Sequence, residues 1–232
     1  LILVACGGAT EETSEEEVVV EEVTETLDSP AVTTAGSVKT GVGITEEACP
    51  EVISNIPTGA DPTKGCIYLG MLNDYSGPYG AAGPALDIGQ RAFWLWANST
   101  GGIGDYSVAI REGFDASYNP QKHLEGYNSL KDSVAAFAMS LGTPQTLFIL
   151  DNLNEDNTVA VPMSWWSGWG YKEVDGSTVV EFGTQYCADA MNAMDWASEN
   201  AGALTGGLVD IKTVGIIGYE LSLIHISEPT RP

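Results

Sequence analysis

An α/β fold built on a Rossmann-like parallel sheet is predicted for this chain by three observations. Short apolar runs alternate with segments of helical periodicity along most of its length. Glycine, proline or asparagine marks the junctions between them. Hydrophobic residues make up 44% of the 232 positions, enough for one sizeable core.

The first strand is Ile67–Leu72, an apolar run that ends in polar residues. A turn follows at Asp74-Tyr75-Ser76-Gly77-Pro78-Tyr79-Gly80. Ala85–Ala97 has helical spacing, with Ile88, Ala92 and Leu95 on one expected inner face, and Gly101-Gly102 stops it. Tyr106–Ile110 alternates as a strand. Asn119-Pro120 opens a helix through Lys131, with proline in its first turn. Val134–Met139 is the third strand, Pro144–Leu153 a helix and Val159–Met163 the fourth strand. A fifth strand is expected at Val179–Phe182, a helix at Ala188–Asn200 and a sixth strand at Thr213–Ile217. In a parallel sheet of this kind, ligands bind in the crevice beyond the strand C-terminal ends.

Charge narrows the partners. Lys and Arg number 9 against 32 Asp and Glu, a net charge of -23. Such a chain repels phosphates, which argues against nucleic acid. The glutamates crowd the first part: residues 7–62 are read as an acidic disordered linker, densest before residue 45. Ahead of it, residues 1–6 read as the end of a lipoprotein signal peptide. Leu3-Val4-Ala5-Cys6 resembles a lipobox, in which Cys6 would take the lipid that anchors the protein to a membrane. No apolar run approaches the roughly 18 residues of a spanning helix. Cys49 and Cys66 flank the entrance to the folded part and would pair in an oxidising compartment. Cys187 is expected to be a small buried hydrophobe. No cysteine pair has metal-ligand spacing, and no cofactor is implied.

A family resemblance enters at the junctions. Ser76-Gly77-Pro78 follows the first strand. Asn98-Ser99-Thr100-Gly101-Gly102-Ile103 ends the first helix, and Asp115-Ala116-Ser117-Tyr118-Asn119-Pro120 follows the second strand. Leu141-Gly142-Thr143-Pro144, Leu153-Asn154 and Val161-Pro162 come in the same order. Together these resemble the type I periplasmic binding proteins of the branched-chain amino acid and amide transport group. The resemblance implies a two-lobed protein, of which residues 63–183 would be lobe one and 184–220 the beginning of lobe two. Residues 221–232 resemble a sequencing adapter and are expected to be foreign to the fold.

In that family the solute lies between the lobes. Lobe one would contribute Tyr75, Ser76 and Tyr79, then Ser140, Leu141, Gly142 and Thr143, then Ser164, Trp165, Trp166 and Ser167. Hydroxyls and free N–H groups suit a carboxylate or amide, and aromatic walls supply apolar area. Asp74 and Asp115 read as strand-end caps. The implied role is an extracytoplasmic lipoprotein that passes an amino acid or amide-like solute to the permease of an ABC importer. A ligand-sensing receptor domain or a secreted α/β hydrolase are the alternatives. Against an enzyme, there is no Gly-x-Ser-x-Gly elbow, phosphate loop or His-Glu-x-x-His motif, and no catalytic residue is assigned. His123, in a polar helix, is expected at the surface, and His225 falls in the adapter-like tail.

Overall fold

The structure, a computed structural model, describes residues 41–170, 178–204 and 206. Cys6, the signal peptide end, most of the linker, the sixth strand and the 221–232 tail lie outside these residues. The chain enters through β1 (Ile44–Thr45) and a hairpin of β2 (Val52–Ile53) and β3 (Ile56–Pro57). It continues through β4 (Gly65–Asn73), α1 (Gly83–Ser99), β5 (Tyr106–Ile110), β6 (Phe114–Asp115) and α2 (Pro120–Leu130). Then come β7 (Ala136–Leu141), α3 (Thr143–Phe148), α4 (Leu150–Asp156), β8 (Val159–Met163) and α5 (Tyr186–Leu204).

β4 is the axis of the sheet. It pairs in parallel with β5 and β6 on one side and with β7 on the other, and β7 pairs in parallel with β8. Among the described strands of this sheet only β1 is antiparallel, lying against the start of β4. Helices cover both faces, as parallel pairing requires. On one face Ile67, Leu69, Met71, Val108, Ile110 and Met139 pack with Leu86 and Trp94 of α1. On the other, Leu72, Phe137 and Ala160 pack with Tyr127, Ile149, Leu153 and Trp169. Phe137 and Met139 are two apart yet face opposite ways. The register shift between Phe137 and Ser140 accounts for this: a bulge reverses the alternation, and it turns Ser140 toward α2.

Several expectations are corrected. Order begins well before residue 62: β1 pairs with β4, Cys49 is buried, and Cys49 is disulfide-bonded to Cys66 with Cα atoms 4.8 Å apart. The disordered segment expected over 7–62 therefore does not extend through β1 and Cys49. The helix expected at Pro144–Leu153 is two helices, broken at Ile149, whose non-helical backbone (ψ 4°) leaves its side chain fully buried in the core. The fifth strand shrinks to a single bridge between Ala160 and Val179. Ala160 N–H donates to Thr178 O and Val180 N–H to Ala160 O, but the next donor on that edge would be Pro162, which has none. The inner face of α1 is also different. Ile88 and Leu95 are exposed, while Arg91 and Asn98 are buried.

Candidate functional site

Asp74, at the end of β4, is 1% exposed and templates the turn that follows. Its carboxylate accepts the N–H groups of Ser76, Gly77 and Tyr79. Asp115, at the end of β6, joins a second loop to the first. It accepts from the N–H groups of Tyr75 (2.9 Å) and Ser117 (3.0 Å) and from Ser76 Oγ (2.6 Å). Burial alone would push Asp115 up. The bonds from the Ser76 hydroxyl and from backbone N–H groups outweigh it and hold the carboxyl below its usual range. Both aspartates thus act as strand-end caps.

The residues expected after β4 separate into different roles. Tyr75 turns away from the sheet edge. Its hydroxyl donates to Asp87 Oδ2 (3.0 Å) on α1 and sits where a Cβ at Gly113 would fall. Burial first, then the Asp87 carboxylate, push this phenol up to about 12. Ser76 stays at the rim, but its proton is committed. Lys122 Nζ donates to Ser117 Oγ (3.1 Å), Ser117 Oγ lies 2.8 Å from Ser76 Oγ, and Ser76 Oγ donates to Asp115. With Ser76 donating to the carboxylate, Ser117 must donate to Ser76, so both hydroxyls point their protons inward. Each serine thus offers a solute an acceptor only, while Lys122 offers an N–H donor. Tyr79 packs its ring against Tyr118, centroids 4.7 Å apart.

The turn after β7 is built around a positive φ. Gly142 has φ 100°, and a Cβ there would strike the Gln145 amide and the Tyr118 ring. Leu141 and Thr143 are buried, and Ser140 is fully buried. Ser140 Oγ lies 2.8 Å from His123 Nε2 and 2.7 Å from Thr146 Oγ1. Ser140 is therefore an internal link instead of a solute-facing hydroxyl. His123, expected at the surface, is 0% exposed. Burial in this apolar setting pushes it down to about 3, so it is neutral.

The loop after β8 leaves the same edge, since Leu141 and Met163 are paired in register. Its tryptophans do not form one wall. Trp169 is 1% exposed and donates its indole N–H to Ser164 Oγ (3.0 Å). Trp166 packs edge-on against Trp169, centroids 5.3 Å apart. Trp165 packs against Phe182 and Tyr186. Ser167 Oγ accepts the N–H of Cys187, whose thiol is half-buried where full burial was expected. The edge thus brings together Tyr79, Tyr118, Ser76, Ser117 and Lys122, and withdraws Tyr75, Ser140, Thr143, Ser164 and Trp166 into support.

Sequence reasoning missed Tyr118, Lys122, Gln145 and the burial of His123. Spacing could have found the last: His123, Gly126, Tyr127 and Leu130 form one inward face of α2. A small groove lined by Pro57, Thr58, Arg91, Trp94 and Val108 lies elsewhere, between the hairpin and α1. Among the described residues no cluster of three His, Cys, Asp or Glu could hold a metal, and no helix is long and apolar enough to cross a membrane.

Residues 66–225 match the family described as periplasmic binding protein, so positions 221–225 fall within the matched span. No curated protein sequence matches the chain. Among solved structures it is similar to a fatty acid ABC transporter substrate-binding protein from Thermomonospora curvata. That likeness has 24% identity and a TM-score of 0.51, over 61% of this chain and 35% of that one. It is similar to a branched-chain amino acid ABC transporter protein from Thermus thermophilus with bound valine, at 15% identity and TM-score 0.51, over 59% and 36%. An ABC transporter substrate-binding protein from Sphaerobacter thermophilus gives 17% identity and TM-score 0.52, over 59% and 37%. The aligned part thus spans little more than a third of these relatives. They share the parallel α/β fold.

Proposed function

The chain belongs to the periplasmic binding protein family, and from that membership we propose that it is part of an extracytoplasmic solute-binding lipoprotein that delivers an amino acid or related small amide-like solute to an ABC importer. In this reading residues 63–183 are the first lobe and 184–220 begin the second. Cys6 carries the lipid, the permease is the macromolecular partner, and the protein performs no chemistry on its cargo.

One observation carries the proposal. The segments after two parallel strands, β4 and β6, leave one sheet edge and bring together an aromatic pair, Tyr79 and Tyr118, the oxygens of Ser76 and Ser117, and the Lys122 ammonium that donates to Ser117. That combination suits a small zwitterion. The ammonium meets a carboxylate, the serine oxygens accept from an amine, and the rings cover an apolar side chain. The valine bound to the Thermus thermophilus protein is a solute of this class.

The test is an NMR titration of the chain with L-valine, L-leucine, acetamide and benzoate. Saturable shifts concentrated at Ser76, Tyr79, Tyr118 and Lys122 are expected, strongest for the amino acids and reduced about tenfold in apparent affinity by Lys122→Met. Shifts scattered over other faces, or none with any of the four, would overturn the assignment.

A further inference from the structure

Two loops of the crevice come from different strands, and buried side chains bind them together. The segment after β6 carries Ser117 and Tyr118; the end of β7 and the turn after it carry Ser140–Thr143. His123, in the first turns of α2 directly behind Tyr118, reaches Ser140 Oγ at 2.8 Å. Gln145, in α3 directly behind Thr143, donates its amide N–H back to the carbonyl of Tyr118 at 2.7 Å. The two ties run in opposite directions, each from the helix that follows one loop to the other loop. His123 is 0% exposed and Gln145 2%.

The hydrogen-bond pattern fixes the tautomer of His123. Its Nδ1 is buried without a partner among the described residues. A buried N–H with no acceptor costs more than a bare ring nitrogen, so the proton belongs on Nε2. Nε2–H then donates to Ser140 Oγ, Ser140 Oγ–H donates to Thr146 Oγ1, and Thr146 Oγ1–H donates to the Ser140 carbonyl at 3.2 Å. Every hydroxyl proton has one acceptor. The bulge in β7 is what presents Ser140 to α2 for this purpose.

We propose that His123 and Gln145 are positioning residues that clamp the Ser117–Asn119 segment to the Ser140–Thr143 turn, so that the two loops form one rigid rim of the solute crevice. The proposal rests on the reading of this edge as the solute site. Neither residue touches solute. Their effect is to hold Tyr118 and Thr143 at a fixed separation.

The experiment is residue-resolved amide exchange on the whole chain and on His123→Phe, His123→Gln and Gln145→Met. His123→Phe keeps the volume without the donor; His123→Gln keeps a donor in reach. In His123→Phe and in Gln145→Met, amides of both segments are expected to exchange about tenfold faster, while β4 and β5 are unchanged. His123→Gln is expected to restore protection in both. Acceleration confined to one segment, a uniform rise across the fold, or identical behaviour of the Phe and Gln variants would overturn the clamp. Should His123→Phe fail to fold, Gln145→Met reads the same coupling alone. Exchange is measured without solute, so loss of the coupling overturns the clamp whatever the chain binds. Intact coupling without binding of L-valine overturns only the function proposed above.

Discussion

His123 carries no charge in the fold because a second proton would sit on Nδ1, where the buried N–H would find no acceptor among the described residues, and burial is the only influence on the ring. Its ordinary value of 6.5 falls to about 3 through burial. The sign of the pH effect follows. Below about 6.5 the unfolded chain takes up a proton that the folded chain refuses, so acidification favours unfolding, at up to about 1.4 kcal/mol per pH unit. Above 6.5 this contribution is flat. Urea unfolding at pH 7.0 and 5.0 should therefore show a stability drop that His123→Gln lessens. An equal drop in the variant would mean that other groups carry it. Asp115, held below its usual range, titrates lower and is separable from this window. The residue was misread in the sequence because its neighbours Lys122, Glu125 and Asn128 are polar and exposed. Composition outvoted spacing, although Tyr127 and Gly126 lay on the same face. Asp74 and Asp115 were legible because a carboxylate just past a strand has free N–H groups to accept from.

Among the elements, α1 shows how a correct boundary can carry a wrong face. Proline at its start and the glycine pair after it fixed its span. Hydrophobicity then pointed Ile88, Ala92 and Leu95 inward. The structure instead buries Arg91 and Asn98, because both reach main-chain groups that would otherwise lack partners. Arg91 donates to the carbonyls of Ile110 and Arg111 and pairs with Asp87. Asn98 donates to the carbonyls of Thr58 and Val108 and accepts the N–H of Val108. It fastens α1, β5 and the segment after β3 at one point. Asn98→Ala should cost about 2–4 kcal/mol, since it strands three buried main-chain groups, and chemical denaturation would measure it. A loss under about 0.5 kcal/mol, the size of an ordinary surface change, would show that water replaces the amide without penalty. The fifth strand was overread for the converse reason: Val179–Phe182 has strand composition, but pairing depends on the neighbour's N–H groups, and Pro162 is silent. A partner's deficit cannot be seen in the segment itself.

For the molecule as a whole, the alternation of strands and helices made the parallel sheet legible, and with it the edge on which a site would sit. What sits there was harder to read, because hydroxyls that look available in a sequence are spent on one another in space. The alignments cover 35–37% of the solved relatives. A solute held by one rim leaves its other face wet; about 100 Å² of apolar surface not buried forfeits roughly 2.5 kcal/mol, near 70-fold in affinity. L-valine should accordingly bind this chain no more tightly than about 1 mM, where calorimetry gives a shallow curve. A micromolar constant would mean that one rim suffices. The Cys49–Cys66 bridge carries a consequence of another kind. It ties the segment ahead of β4 to the strand at the centre of the sheet. Apart from the bridge, that segment is held by the two residue pairs of β1, the bond from Tyr68 N–H to the Gly43 carbonyl and a few side-chain bonds. Closing the bridge works as a latch: it adds a covalent bond to that hold, and it leaves in the molecule a record that the chain has met an oxidant.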